Sequence, residues 1–397
     1  MQHTDILIIG GGIAGTSTAY HLAKYGHEVT LLERGELASE ASGLNAGTLW
    51  ATGWGNMPHL SSTLSMGGLE LFKTLQFDFG YDIEFRQSGS FKAIQTESQY
   101  EFVQAEEQRL LTEGHTVNLL SSRDTRSIEP ALSSTILGCM YYPHGAQANP
   151  VKTTRAFASL AQQNGARILL QHEVTGIEML DSGQYRVSTP QETFLTRRLV
   201  LAAGPWCRSL GTLLGIDIPV FAVRGQMWST GPVPYRIFHS VMGAESVHYW
   251  RTEPYSDEQT PAEMTHRGDK RLTRHLYGRQ TMDGEIIFGG DRQVNAPKVP
   301  DLAGIEINRQ HAIELFPFLC DYPVKRIWAG WMPFTRHLKL IIGSIPQREN
   351  LYVLAGLSSS GFEQGPMAGK LLADYIHDGS TPALLSEADP AQQVTLL

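Results

Sequence analysis

Apolar and polar positions change period several times along the chain, and the changes mark out its elements. Ile6-Leu7-Ile8-Ile9 is a short, β-branched run suited to a strand buried on both faces. Behind it Ala14, Ala19, Leu22 and Ala23 recur at helical spacing until Gly26 ends the pattern. Val29–Leu32 is then a second apolar strand. Leu64, Leu69, Leu71, Phe72 and Leu75 predict a helix over 61–79. The texture changes at Tyr81: 83–86 and 90–94 alternate like antiparallel strands, 100–113 is an amphipathic helix, and 137–142 is another strand. A helix over 151–163, strands over 167–170, 174–178 and 198–202, and a hairpin at 181–184 follow. Residues 216–228 open a second antiparallel block, in which 275–279 and 286–290 pair about a turn at Met282-Asp283-Gly284. His275, Tyr277 and Arg279 alternate onto one strand face, as do His248 and Trp250. Residues 255–270 are polar and without period, and read as an exposed loop. A helix over 305–319 leads to strands over 326–331, 338–343 and 351–356 and a helix over 365–376. These strands are as continuously apolar as the first, so the C-terminal segment is expected to rejoin the first sheet.

The chemistry is concentrated at the turns. Gly10, Gly12 and Gly15 stand at GxGxxG spacing between the first strand and its helix, and Glu33 ends the second strand. That context is the dinucleotide fingerprint: a tight turn at Gly10, close backbone approach at Gly12, and helix–strand packing at Gly15. The helix N-terminus faces a pyrophosphate, and the acid accepts from ribose hydroxyls. The small-residue stretch 39–47 follows the acid, where backbone N–H groups can approach a phosphate and a ring. Ala202-Ala203-Gly204-Pro205-Trp206 is a second such turn.

Composition narrows the remaining classes. The 397 residues leave room for two to three domains, and 32 Lys+Arg against 40 Asp+Glu give a net charge of −8, which argues against nucleic acid as the main partner. Cys139, Cys207 and Cys320 are too scattered for a disulfide framework or a metal site. No apolar run reaches the ~18 residues of a membrane span, and little chain precedes the first strand, so no signal peptide and a cytoplasmic location are expected.

Taken in order, IIGGGIAG (8–15), LLER (31–34), ASGLNAG (41–47), HEVTGIE (172–178), VLAAGPW (200–206), VRGQM (223–227), DGEIIFGG (283–290), WAG (328–330), IIG (341–343) and GFEQGP (361–366) form a series. With it the chain resembles the FAD-dependent amine and amino-acid oxidoreductases, the group of glycine oxidase, sarcosine oxidase and D-amino-acid dehydrogenase. The resemblance implies a mixed α/β fold, with a Rossmann-like FAD-binding domain (1–80, 144–215 and 325–397) interleaved with a mixed antiparallel-sheet substrate domain (81–143 and 216–324). By position it puts Ile13 and Ala14 under the pyrophosphate, Glu33 and Arg34 at the ribose, and Ala41, Ser42, Asn45, Ala46, Gly47 and Thr48 beside the phosphates and the flavin ring. Val174 would meet the adenine, and Ala203, Gly204 and Trp206 the dinucleotide. Leu357, Ser358, Ser359, Ser360, Gly361, Phe362 and Glu363 would wrap the flavin pyrimidine edge.

Two departures bear on the substrate. Met332 stands where the family places the arginine that clamps a substrate carboxylate, and a thioether cannot form that bidentate charged pair. Ser359-Ser360 replaces the Gly-His of the usual flavin loop, and Gly330 falls near the place of the cysteine that carries flavin covalently in sarcosine oxidase, so non-covalent FAD is expected. Arg279 or Arg336 could supply the missing charge, or Trp250, Trp331 and Met332 an apolar pocket for a larger amine. The expected activity is oxidation of a C–N bond in an amine or amino-acid-like substrate, with hydride transfer to flavin N5 and hydrolysis of the imine to a carbonyl. O2 or an electron-accepting partner would take the electrons. The alternatives are a dehydrogenase subunit serving a partner protein or quinone, a hydroxy-acid oxidase, and a flavin-binding scaffold without turnover.

Overall fold

The computed structural model describes residues 1–53, 57–253 and 260–397. Its first large sheet runs Ile341–Ser344, Leu351–Ala355, Thr193–Leu201, Gln2–Ile9, Val29–Leu32 and Arg167–Leu169, with a hairpin of Gly176–Met179 and Tyr185–Ser188 attached at Thr193–Leu201. The four strands from Leu351–Ala355 to Val29–Leu32 are parallel and buried on both faces, which is why their sequences lack alternation. The helix Ile13–Lys24 packs against both Pro150–Gln163 and Gly361–Asp378 over one face, in a core with Ile6, Ile8, Tyr20, Phe157 and Leu372.

The second sheet has eight strands in the order Arg326–Thr335, Val220–Pro232, Glu285–Val294, Tyr277–Gln280, Ser240–Gly243, Ser90–Ile94, Gly138–Tyr142 and Asn118–Ser121. All neighbours are antiparallel except Ser240–Gly243 beside Ser90–Ile94.

Several sequence expectations give way to tertiary pairing. The strand Arg326–Thr335 does not rejoin the first sheet; it pairs along its whole length with Val220–Pro232, and its apolar run covers both faces of an edge strand. Residues 83–86 make one isolated bridge, Arg86 with Gln147, and no strand. His248 and Trp250 lie on a helix, Glu245–Thr252, because a short mixed run does not separate strand from helix by period. Of the loop read over 255–270, residues 255–259 lie outside the described residues. The rest folds inward, burying Glu263, Met264 and Thr265 and forming a short hairpin of His266–Arg267 and Lys270–Arg271. The last helix starts at Gly361, four residues before the expected 365, and carries Pro366 inside it, where the ring removes the bond an N–H would make to the Phe362 carbonyl. The strand expected over 338–343 is Ile341–Ser344.

The opening turn is the tightest junction. Gly10 has φ +122, and a Cβ there would lie 2.4 Å from the Ala202 carbonyl oxygen. A Cβ on Gly15 would lie 2.1 Å from the Gly10 carbonyl oxygen. Strand, turn and helix are therefore in backbone contact, with no side chain between them. Gly15→Ala must push the helix off the sheet, and it is expected to cost about 2–3 kcal/mol, read as a lower urea midpoint at unchanged m. A midpoint equal to wild type would show that the helix start is not fixed by this contact.

Candidate functional site

The carboxyl ends of the parallel strands and the second sheet enclose a cavity of about 510 Å³. At one end the turn residues Gly10, Gly12, Ile13 and Ala14 line it, with Gly15 behind them. No side chain caps the helix at Gly12, and the Ile13 N–H donates to Ser42 Oγ at 2.9 Å. The first turn of a 12-residue helix thus presents its N–H groups to the cavity. Glu33 is held by two backbone donors, Gly11 N–H at 2.7 Å and Gly35 N–H at 2.8 Å. The Arg34 guanidinium lies 3.7 Å over the Trp206 ring and donates to Glu40 at 2.7 Å. Val174, Ala203, Gly204 and Trp206 complete this end.

Along the side run Ala41, Ser42, Asn45 and Thr48, with Ala46 and Gly47 buried behind them. Asn45 braces the loop: its Nδ2 donates to the Ala41 and Ser42 carbonyls, and its Oδ1 accepts from Gly47 N–H at 2.8 Å. Arg279 does not reach the cavity. Its guanidinium is 1 % exposed and donates to the backbone carbonyls of Ala46 and Ala148, so it holds this loop in place.

Residues 357–363 form the far wall. Ser358 sits at φ +48, and the turn Ser358–Ser360 feeds the helix Gly361–Asp378, whose N-cap Ser360 makes no side-chain cap. Glu363 in that first turn accepts from the N–H groups of Trp50 and Ala51 at 2.9 and 2.5 Å, joining the helix to the loop after Thr48. Burial pushes its carboxyl up to about 7, against the two N–H donors. Two uncapped helix N-termini on one cavity, a turn with no room for side chains and an oriented acid at one end fit a long anionic dinucleotide such as FAD.

Beyond this channel lie His275, Tyr277, Trp250 and Met332. His275 is 6 % exposed, and neither of its ring nitrogens has a hydrogen-bond partner among the described residues. Burial, and then the charge of Arg292, hold its pKa well below the usual 6.5, so the imidazole is neutral. The Tyr277 ring is 5.9 Å from it. The Trp250 indole donates to the Met264 carbonyl at 3.0 Å. The other predicted residues fall elsewhere. Trp331 follows the alternation away from Met332, donating to the Ala296 carbonyl at 3.0 Å, and does not line the cavity. Arg336 is exposed and outside the lining, and Gly330 packs against Leu44.

Among the lining residues that sequence reading missed are Arg292 and Glu263. Arg292, 8 % exposed, donates from Nη1 to Glu263 Oε2 at 2.8 Å, and Ser359 Oγ donates to the same oxygen at 2.7 Å. Burial raises the Glu263 pKa, while Arg292 pulls it down. Arg292 follows a bulge: Gln226 pairs with Asp291 and Met227 with Gly289, leaving Gly290 unpaired at φ +131. The extra residue shifts the alternation, so the face Arg292 takes cannot be counted from the start of its strand.

The family model described as FAD dependent oxidoreductase (DAO) matches residues 5–375. Glycine oxidase of Bacillus licheniformis is 26% identical over 382 residues, covering 94% of this chain and 92% of that protein. Mitochondrial dimethylglycine dehydrogenase of Mus musculus is 26% identical over 400 residues, and the match spans 98% of this chain but 44% of that protein. In overall fold the chain is similar to L-proline dehydrogenase from P. horikoshii, with TM-score 0.85, 23% identity and 98% of each chain covered. It is also similar to glycine oxidase from Geobacillus kaustophilus, with TM-score 0.83, 23% identity, and 98% of each chain covered.

Glu363 carries a pH dependence whose sign is fixed. Its folded pKa of about 7 exceeds the ordinary 4.5, so its contribution to stability is complete below 4.5 and lost as pH rises through about 7. Over that window the wild-type apoprotein is expected to lose up to ~3 kcal/mol that Glu363→Gln retains, measured by urea unfolding across pH. Parallel pH profiles for the two proteins would rule out a neutral buried Glu363.

Proposed function

The chain belongs to the FAD dependent oxidoreductase family, and on that footing we propose that it oxidises a C–N bond in an amine or amino-acid-like substrate. The observation that carries the reading is the single cavity joining two uncapped helix N-termini to the polar cluster of His275, Tyr277, Arg292 and Glu263. Bound in this cavity, FAD would supply a two-electron acceptor for the hydride on the substrate carbon, so that the C–N bond would be oxidised to an imine and water would complete its conversion to a carbonyl. The protein's task is binding and positioning. Glu33 would take the ribose, Gly12 to Ala14 and Ser42 the pyrophosphate, and the N–H groups of 358–361 would offer donors to the negative charge of the reduced ring. The neutral His275 lies at the substrate end, where it can accept a hydrogen bond from the amine without repelling it. We assign the first sheet and its helices to the cofactor and the second sheet, including Arg326–Thr335, to the substrate.

Non-covalent attachment is supported by the cysteines: Cys139, Cys207 and Cys320 are free, and none lines the cavity. The three free thiols also support a cytoplasmic location, and no helix among the described residues is long and apolar enough to cross a membrane. The relatives include both an oxidase and dehydrogenases, so the electrons pass to O2 or to a partner acceptor.

The purified protein is expected to be yellow, to release its FAD on acid precipitation, and to bleach anaerobically with an amine or N-alkyl amino acid. Protein purified without flavin, and unable to take it up, would refute the reading. Oxygen uptake without an added acceptor would assign an oxidase. Glu33→Ala is expected to weaken FAD about 10–100-fold, measured by the return of flavin fluorescence on release. Unchanged affinity would move the ribose site elsewhere.

A further inference from the structure

The substrate sheet lacks an arginine at Met332 but holds one two strands away in the same patch. Gly225 pairs with Gly330 on one side and Arg292 on the other, while Val223 pairs with Met332 and Val294. Paired residues, and residues two apart, share a sheet face, so Arg292 and Met332 look out on the same side, one row apart. The position between them is a glycine. A Cβ on Gly225 would lie 3.0 Å from Met332 Cε, so the methionine folds over the gap that the missing side chain leaves. Arg292, Met332 and His275 all line the one cavity.

The arginine also has donors to spare. Among the described residues its guanidinium makes one hydrogen bond, from Nη1 to Glu263. Glu263 is presented to it from the other side by Ser359, in the loop that closes the cavity. Glu263 itself sits at φ +76, a conformation non-glycine residues seldom adopt and that surrounding contacts must enforce. His275, 6 % exposed and with neither ring nitrogen partnered among the described residues, is a second polar group in the same space.

We infer that Arg292 is the substrate-carboxylate residue of this enzyme, and that Glu263, held by Ser359, is a positioning residue that occupies the guanidinium until the substrate arrives. The substrate is then an amino acid or N-substituted amino acid, with its carboxylate on Arg292 and its nitrogen toward His275. Arg251, on the helix Glu245–Thr252 and in the same lining, is a second cation that acts on Glu263 and pulls its pKa down. A second buried carboxylate on the Arg292 guanidinium opposes that pull, so binding draws a proton onto Glu263. Burial has already pushed the Glu263 pKa upward. The inference rests on the proposed amine oxidation for its substrate, but its test does not require turnover.

The holoprotein is titrated with methoxyacetate, a carboxylate with no oxidisable nitrogen, and with methoxyacetamide, its neutral counterpart. Binding is followed by the visible flavin spectrum, and proton uptake by calorimetry in buffers of different ionisation enthalpy. Methoxyacetate is expected to saturate and the amide not to. Its affinity is expected to fall with rising pH, approaching tenfold per unit, as one proton is taken up. Arg292→Lys should weaken it about tenfold, and the charge-balanced pair Arg292→Met with Glu263→Gln about a hundredfold. Glu263→Gln alone keeps the arginine and should remove the pH dependence, so the proposal stays testable if the double variant does not fold. Equal binding of acid and amide, or wild-type methoxyacetate affinity in the double variant, would overturn the role of Arg292. A pH dependence that persists in Glu263→Gln would overturn that of Glu263. Carboxylate binding in a protein that oxidises no amine would refute the proposed oxidation and leave Arg292 standing; amine oxidation indifferent to carboxylates would do the reverse.

Discussion

Everything in the cofactor channel depends on one backbone contact. The Gly10 carbonyl meets Gly15 in the helix, and Gly10 itself meets the Ala202 carbonyl at the end of a neighbouring strand. The strand end, the turn and the helix start, from residues 9–15 and 202–203, share a space that the Ala202 methyl borders and that leaves no room for a further Cβ at Gly10 or Gly15. The contact sets the helix start at a fixed height above the sheet, and with it the direction of its unpaired N–H groups. Glu33 closes onto Gly11 and Ser42 onto Ile13 because that height is fixed. The last helix is keyed to the first in the same way, since a Cβ on Gly369 would lie 2.9 Å from the Ala14 carbonyl oxygen. The second N-terminus is thereby placed relative to the first, and Glu363 carries the register on to Trp50 and Ala51.

This hierarchy accounts for what was legible in the sequence. The cofactor half could be read because its constraints are local: a turn needing Gly10, a helix needing Gly15, an acid at the end of the next strand. Ser42, Asn45 and the 357–363 loop came with the family pattern, and the structure brings most of them to one cavity. The half built on the second sheet forms by non-local pairing. Arg326–Thr335 looked like a first-sheet strand because it is apolar on both faces, yet its partner is Val220–Pro232. Trp331 and Met332 are adjacent in sequence and diverge in space, as strand neighbours must. Arg279 has the period of His275 and Tyr277, but it lies beneath the flavin loop and is spent on two carbonyls. Arg292 was hidden by a single unpaired residue, Gly290, which reverses the alternation just before it. Glu263 was hidden by a segment with no period at all.

The two departures from the family pattern meet at one point in space. Met332 removes a positive charge from the edge strand, and Ser359 adds a hydroxyl to the flavin loop. The hydroxyl holds Glu263, which holds Arg292, which faces the cavity on the same side of the sheet as Met332. A buried ion pair is a poor device for stability, since desolvating both charges offsets most of their attraction. Packing alone would be served as well by two apolar side chains of similar size. What such a pair does supply is a guanidinium held in one orientation, with donors left over, in a place where water competes weakly. A lone arginine there would be costly to bury, and a lone glutamate would repel any acid. Paired, the two charges offset one another, and in the proposed site one proton would balance the arrival of a second carboxylate. If the substrate carboxylate is held at Arg292, as proposed, the positive charge lies on a strand nearer the middle of the sheet than the edge strand of Met332, and selectivity among acids would then follow from the geometry of Arg292 and His275 and not from the presence of charge alone.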